Sequence, residues 1–234
     1  MTFMRGYTEL KDIARGAVKS DGTLLSFDDQ LRRFAYEQMP SGDMFVVAAS
    51  SKDAGIAEMA DLPIVMKQST VRKITVSHEL TLADLRRLPE WLRTYPLALD
   101  SLSEIDSMLL VTDAEDALGQ TVLIALHAER EFRQLVVNEI ASIYGKRNLA
   151  YLIENTVAAG KEVHVNERTG GWLQHTGLPL PERTADHLLS KIIHQKDNSC
   201  NSPASLGGEA RDMAAARAAG DGTCTRADRR EPGR

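Results

Sequence analysis

Apolar positions along the chain change their period from one stretch to the next. Phe27, Leu31, Phe34 and Ala35 recur at helical spacing, with Arg32, Arg33 and Glu37 on other faces. That pattern predicts a helix over 27–39. Ser26 stands before it as an N-cap, with Asp28 and Asp29 in the first turn. PSGD, 40–43, is turn chemistry. Residues 10–18 show helical spacing as well. MFVVA (44–48) and LPIVM (62–66) are short continuous apolar runs and predict buried strands, with a short helix expected over 51–59. Residues 69–76 fit a helix or a strand equally. Thr81 caps a helix expected over 82–88, and Pro89 opens another over 89–93.

The second half alternates at period two. LALDS (97–101) and SMLLVTD (107–113) predict strands. DALG (116–119) is a hairpin turn, and QTVLIALHA (120–128) returns as the partner strand. Another strand is expected over 134–145. Residues 148–159 predict an amphipathic helix with Leu149, Leu152, Ile153, Thr156 and Val157 inward and Gly160 as its C-terminal stop. KEVHVN (161–166) reads as a last strand, and Trp172 and Leu173 as core residues. A further helix is expected over 186–195. The elements make an α+β chain: a helical segment at 1–40, an α+β domain at 43–195, and a tail at 196–234. The tail has almost no large apolar residues, so it is expected to be disordered.

Composition narrows the classes. Hydrophobic residues are 43% and charged residues 26% of 234 positions, as in a globular protein. The formal net charge of −5 argues against a protein that coats DNA, although not against a local basic pocket. Both cysteines, Cys200 and Cys224, stand in the tail, so the folded region relies on no disulfide. The first residues lack the apolar stretch of a secretory signal, and no run reaches the length of a membrane span. A cytoplasmic protein without membrane contact is the expectation.

No phosphate loop, nucleophile elbow, zinc-protease helix or paired CxxC occurs. The histidines are scattered, so neither metal nor cofactor is expected. What remains is Lys73 and His78 in VRKITVSHELT, just before a helix, and Ser142, Tyr144 and Lys146 in ASIYGK, near a strand end. Ser142 and Tyr144 are two apart and share a strand face. Gly145 suggests a sharp turn. Imidazole, ammonium and hydroxyl groups suit phosphodiester cleavage by a neighbouring 2′-hydroxyl, which needs no metal. Each residue also has a plain structural role open to it. His78 can cap a helix, Lys73 can be a surface charge, and Tyr144 can be a packed aromatic. His127, His164, His175, His187 and His194 read as structural or exposed. The acidic run Glu104, Asp106, Asp113, Glu115 and Asp116 lacks calcium-loop spacing and reads as a solvated hairpin face.

The order ADLPIVMKQSTVRKITVSHELTLADLRRLPEWL, YPLALDS, SMLLVTDAEDALGQTVLIAL, VNEIASIYGKRN and WLQHTGLPLP resembles the phage MuF C-terminal domain. The resemblance covers about half the chain. In layout that domain is similar to ribonucleases of the barnase, EndoU, colicin E5/D and RelE type. This implies N-terminal helices packed on a twisted, mainly antiparallel sheet with an active groove across it. It implies a metal-independent ribonuclease-type effector or toxin of a phage or mobile element. The substrate would be RNA, such as tRNA, and a phage structural protein or an immunity protein would be a partner. The implied roles are proton transfer for His78, positioning for Ser142 and Tyr144, and substrate binding for Lys73, Ser107 and Lys146. The alternative is a non-catalytic interaction module for phage head morphogenesis. A nucleotide-transferring enzyme has no supporting pattern.

Overall fold

A computed structural model describes residues 10–78 and 80–201. The chain divides after Lys196, and the sheet and everything that positions the site lie in the first unit. Among the described residues no helix is long and apolar enough to cross a membrane.

The fold is α+β. Seven strands form one sheet: β1 (Met44–Ala48), β2 (Ile64–Lys67), β3 (Leu97–Asp100), β4 (Ser107–Glu115), β5 (Thr121–Phe132), β6 (Leu135–Lys146) and β7 (Val163–Val165). Their order is β1-β2-β6-β5-β4-β3-β7. Every pairing is antiparallel except β2 with β6. The helices are α1 (Phe27–Ala35), α2 (Gln68–Ser77), α3 (Leu82–Leu85), α4 (Leu88–Thr94), α5 (Leu149–Ala158), α6 (Thr169–Thr176) and α7 (Glu182–Asn201).

Strand alternation sends side chains to two faces. On the first, Phe45, Ile64, Met66, Leu110, Ile124, Leu126, Ile140 and Ile143 build the main core with residues of α1, α2, α3 and α4. Among the described residues the second face is covered at its two ends only. Leu10, Ile13, Ala14 and Ala17 pack on Met44, Val46, Val65 and Val137 at the β1–β2 end. Residues of α5, α6 and α7 pack on Leu97, Leu99, Val111, Leu123 and Val163 at the β3–β7 end.

Local chemistry explains the boundaries. Ser26 accepts from the Asp29 amide and caps α1, as expected, but the helix stops at Ala35 rather than running to Met39. Thr81 and Asp84 form a reciprocal capping box at α3. The hairpin of β4 and β5 forms as expected, and β5 continues to Phe132 into a second hairpin with β6. Residues 51–55 are turns and not the expected helix. Gly55 takes φ 75° there. The Lys52 amide donates to Asp61, and Ser51 Oγ donates to the Leu62 carbonyl, so the segment spends its polar groups on the loop before β2. Helix α7 extends past Lys196 to Asn201. The rest of the tail, 202–234, lies outside the described residues.

Candidate active site on the open sheet face

Between its two covers the second face carries a polar strip, and the strip begins where β2 ends. Strand β2 runs parallel to β6 over Ile64–Met66 and then becomes α2 at Gln68. Helix α2 therefore flanks the free edge of β6 beyond Ile140, with Val71 and Ile74 turned into the main core. Lys73 lies within this helix on its exposed side. His78 is its C-cap, with its amide on the Ile74 carbonyl at 3.1 Å. His78 thus ends one helix and stands just before the next, as expected, whereas Lys73 lies inside the first.

From that cap His78 meets Tyr144 of β6. The ring centroids are 6.1 Å apart with planes tilted at 47°. Nε2 of His78 is buried without a hydrogen-bond partner among the described residues. Burial lowers the His78 pKa, and the nearby Lys73 charge adds to this, so the neutral ring is favoured. Tyr144 packs beside Leu123 and its cluster, and burial raises its pKa. Ser142 and Tyr144 oppose Ala125 and Leu123 on β5, hence one face, as the spacing predicts.

Lys146 continues that face at the end of β6, opposite Thr121, in a ≈ 630 Å³ groove with Arg147 and Tyr151. Gly145 is not a turn. It lies inside β6, and the side chain of Asp116 crosses its Cα, leaving no room for a Cβ. Ser107 opens β4, two strands from Ser142, and donates to the Ile105 carbonyl at 3.3 Å. The structure thus joins His78, Tyr144 and Lys73 at one edge. Ser142 and Lys146 are set along the same strand, and Ser107 stands apart.

Ser107 is instead opposite His127 of β5, and His127 is opposite Glu139 of β6. Sequence reasoning missed this row. Glu139 is buried and pairs with Lys67 Nζ at 2.8 Å. Arg130 Nη2 lies 3.0 Å from His127 Nδ1. Arginine only donates, so Nδ1 accepts and the neutral ring carries its proton on Nε2. Lys67 also lies 4.7 Å over the Phe132 ring. Lys67, Thr70, His127, Arg130, Glu131, Phe132, Glu139 and Ala141 line an open groove of ≈ 520 Å³.

Two β-bulges put these groups together. The register steps from His127↔Glu139 to Arg130↔Val137, so β5 holds one extra residue there. It steps again from Leu126↔Ile140 to Ala125↔Ser142, where β6 holds the extra one. In a regular strand residues three apart point to opposite faces. Here each bulge returns the third residue to the same face, so Arg130 joins His127 and Ser142 joins Glu139. Glu129 in the first bulge takes φ 51°, and its amide donates to Asn138 Oδ1 at 3.1 Å. Among the described residues no three His, Cys, Asp or Glu side chains are grouped so as to hold a metal ion.

An α+β domain with an open polar strip across one sheet face is the class that fold and site define. Residues 69–170 match the model of the phage MuF C-terminal domain family. That segment, somewhat under half of the chain, is similar to the family its sequence resembles. The match runs from the first turn of α2 to the start of α6 and takes in every site residue named above except Lys67. No curated protein and no solved structure gives a match.

Proposed function

We propose that this phage-related domain cleaves RNA by internal transphosphorylation, as an effector or toxin acting without a metal. The observation that carries the reading is the strip itself. Imidazoles, hydroxyls, lysines and an arginine are spread over a part of the sheet that no helix covers among the described residues. A phosphodiester backbone laid over this strip would meet cations for its phosphates and groups able to exchange protons near neutrality. His78, with Ser142 and Tyr144, serves at the α2 end, Lys73 and Lys146 hold substrate along that edge, and Ser107 contacts it farther across the sheet.

A head-morphogenesis module would instead be expected to present a contiguous apolar patch. The large apolar residues most exposed among those described, Val76, Ile105, Tyr36 and Leu118, stand on separate segments, and the exposed neighbours form only pairs, Leu118 with Tyr151 and Leu189 with Ile193. That distribution favours the catalytic reading.

The test is induced expression of the full chain in a bacterial host, with total RNA resolved on a gel, beside purified protein incubated with tRNA and mixed RNA in EDTA. RNA fragments that accumulate in both settings are expected. Intact RNA in both, with soluble folded protein, would leave the interaction module as the better reading.

A further inference from the structure

We infer that bond cleavage takes place at the cross-strand pair His127–Glu139, with Lys67 and Arg130 holding the phosphate, and that the His78–Tyr144 contact positions the chain farther along β6. The inference rests on the RNA-cleavage reading and assigns its acid–base centre.

Three observations carry it. The first is the placement of the bulges. Each adds one residue, and together they bring Arg130, His127, Glu139 and Ser142 onto one face around a single row of the sheet. Without them Arg130 and Ser142 would point to the other face, and the row would keep His127, Glu139 and Ser107. Bulges re-aim side chains and are frequent beside active sites.

The second is a buried carboxylate that the core does not need. Glu139 has a side chain 9% exposed, on a strand whose neighbours Val137 and Ile140 are fully buried apolar residues. A buried ion pair contributes less to stability than apolar residues of similar volume. Glu139 nevertheless lines an open groove and holds Lys67 at its mouth. The third is the composition of the groove. It sets the buried Glu139 carboxylate and the His127 imidazole beside two cations, Lys67 and Arg130, with Glu131 also on its wall. His78 has neither a carboxylate nor a second cation within hydrogen-bond reach among the described residues.

The chemistry balances with these groups alone. The carboxylate of Glu139 takes the proton of the ribose 2′-hydroxyl. The 2′-oxygen forms a bond to phosphorus as the bond from phosphorus to the 5′-oxygen breaks. The leaving 5′-oxygen receives a proton from the His127 imidazolium. The products are a 2′,3′-cyclic phosphate and a 5′-hydroxyl. Arg130 is half-exposed and also lies 4.0 Å from Glu104. Its turn from His127 Nδ1 to the phosphate frees the ring to carry both protons. Lys67 at Glu139 adds the second cation on the phosphate. From Glu139 to Tyr144 is roughly 13 Å along β6, at about 3.3 Å per residue with one bulge. That span is too long for His78 to act on the same bond, and it suits contact with a neighbouring nucleotide.

The experiment compares the full chain as wild type, H127A, E139Q and H78A on end-labelled RNA in EDTA, with product termini mapped. Thermal melts accompany each variant, because E139Q leaves Lys67 without its partner; H127A carries the test should E139Q unfold. Wild type is expected to leave 2′,3′-cyclic phosphate ends, and a single 2′-deoxy substitution at the cut site to block it. H127A and E139Q are expected to lower the cleavage rate by about 10²-fold or more. H78A is expected to raise KM and leave kcat within several-fold. Full activity in H127A, with cleavage abolished in H78A, would overturn the inference and leave the RNA reading standing. Intact RNA with the wild type would overturn both.

Discussion

Asn138 ties the first bulge to the rest of the fold, and its removal measures how firmly the strip is built. It is fully buried in β6. Its Nδ2 donates to Ser51 Oγ at 2.6 Å and to the Ala60 carbonyl at 3.0 Å. Its Oδ1 accepts the Glu129 amide at 3.1 Å. Asn138→Ala removes all three bonds. Ser51 Oγ keeps its bond to the Leu62 carbonyl, and the Ala60 carbonyl keeps the Leu62 amide. These two losses cost about 1 kcal/mol each. The Glu129 amide has no other partner among the described residues, and leaving it unsatisfied costs about 1–2 kcal/mol because it is only partly buried. The sum is about 3–4 kcal/mol, which for a unit of this size lowers Tm by roughly 6–15 °C.

Thermal denaturation and amide exchange read the effect together. Faster exchange at Glu129 is expected in the variant, because its acceptor is gone. Ser51→Ala alone removes a shared bond, so the double variant is expected to lose less than the two single losses combined. A Tm drop below 3 °C, or strict additivity with Ser51→Ala, would refute the account of Asn138 as the anchor of the bulge.

Gly145→Ala would force its Cβ into the Asp116 carboxylate and within 2.6 Å of Asp116 Cγ. Asp116 Oδ1 is held by the amides of Leu118 and Gln120, both at 2.9 Å, so the side chain cannot swing away freely. A loss of about 1–3 kcal/mol is expected in urea denaturation. Gln30 is fully buried, donates to the Leu25 and Val46 carbonyls, and accepts the Val46 amide. Gln30→Ala is expected to cost about 2–4 kcal/mol by the same measurement. His78 has a folded pKa below its ordinary 6.5, so the unfolded chain binds the proton more tightly. Its contribution is full above 6.5, declines as pH falls from there towards the folded value, and is level below that. Between pH 7.5 and 5.5 the wild type is expected to lose more Tm than His78→Asn, and equal losses would count against a buried neutral ring.

The sequence shows the fold more fully than it shows the site, for identifiable physical reasons. The hairpin of β4 and β5 is legible because Asp116 and Gly119 sit between two alternating apolar runs. The cap at Ser26 is legible because its partner lies three residues away. Residues 69–76 are ambiguous because Thr70, Val71, Ile74, Thr75 and Val76 are β-branched. Burial of Val71 and Ile74, three apart, decides for the helix. Helix α6 is hidden by Gly170 and Gly171, both poor helix formers, and is held by burial of Trp172 and by Thr169 Oγ donating to the Pro96 carbonyl. The row of His127, Arg130 and Glu139 is hidden for a different reason. A period of two separates residues three apart, and nothing in the local sequence announces the extra residue of a bulge.

A polar strip needs no catalytic explanation in itself. Among the described residues the central part of the second face has no cover, and hydroxyls and charges there suit a sheet face that meets water. Solvation does not account for Glu139, which is withdrawn from water and joined to Lys67 beside a histidine that faces it across the strands. Nor does it account for Glu129, held at φ 51° so that Arg130 reaches that histidine. Strain and a buried charge both oppose folding, and both persist only where surrounding structure enforces them. Asn138 enforces the first from the core side of the sheet, and Lys67 compensates the second at the end of β2. The two devices converge on one row, which a merely solvated surface would not require.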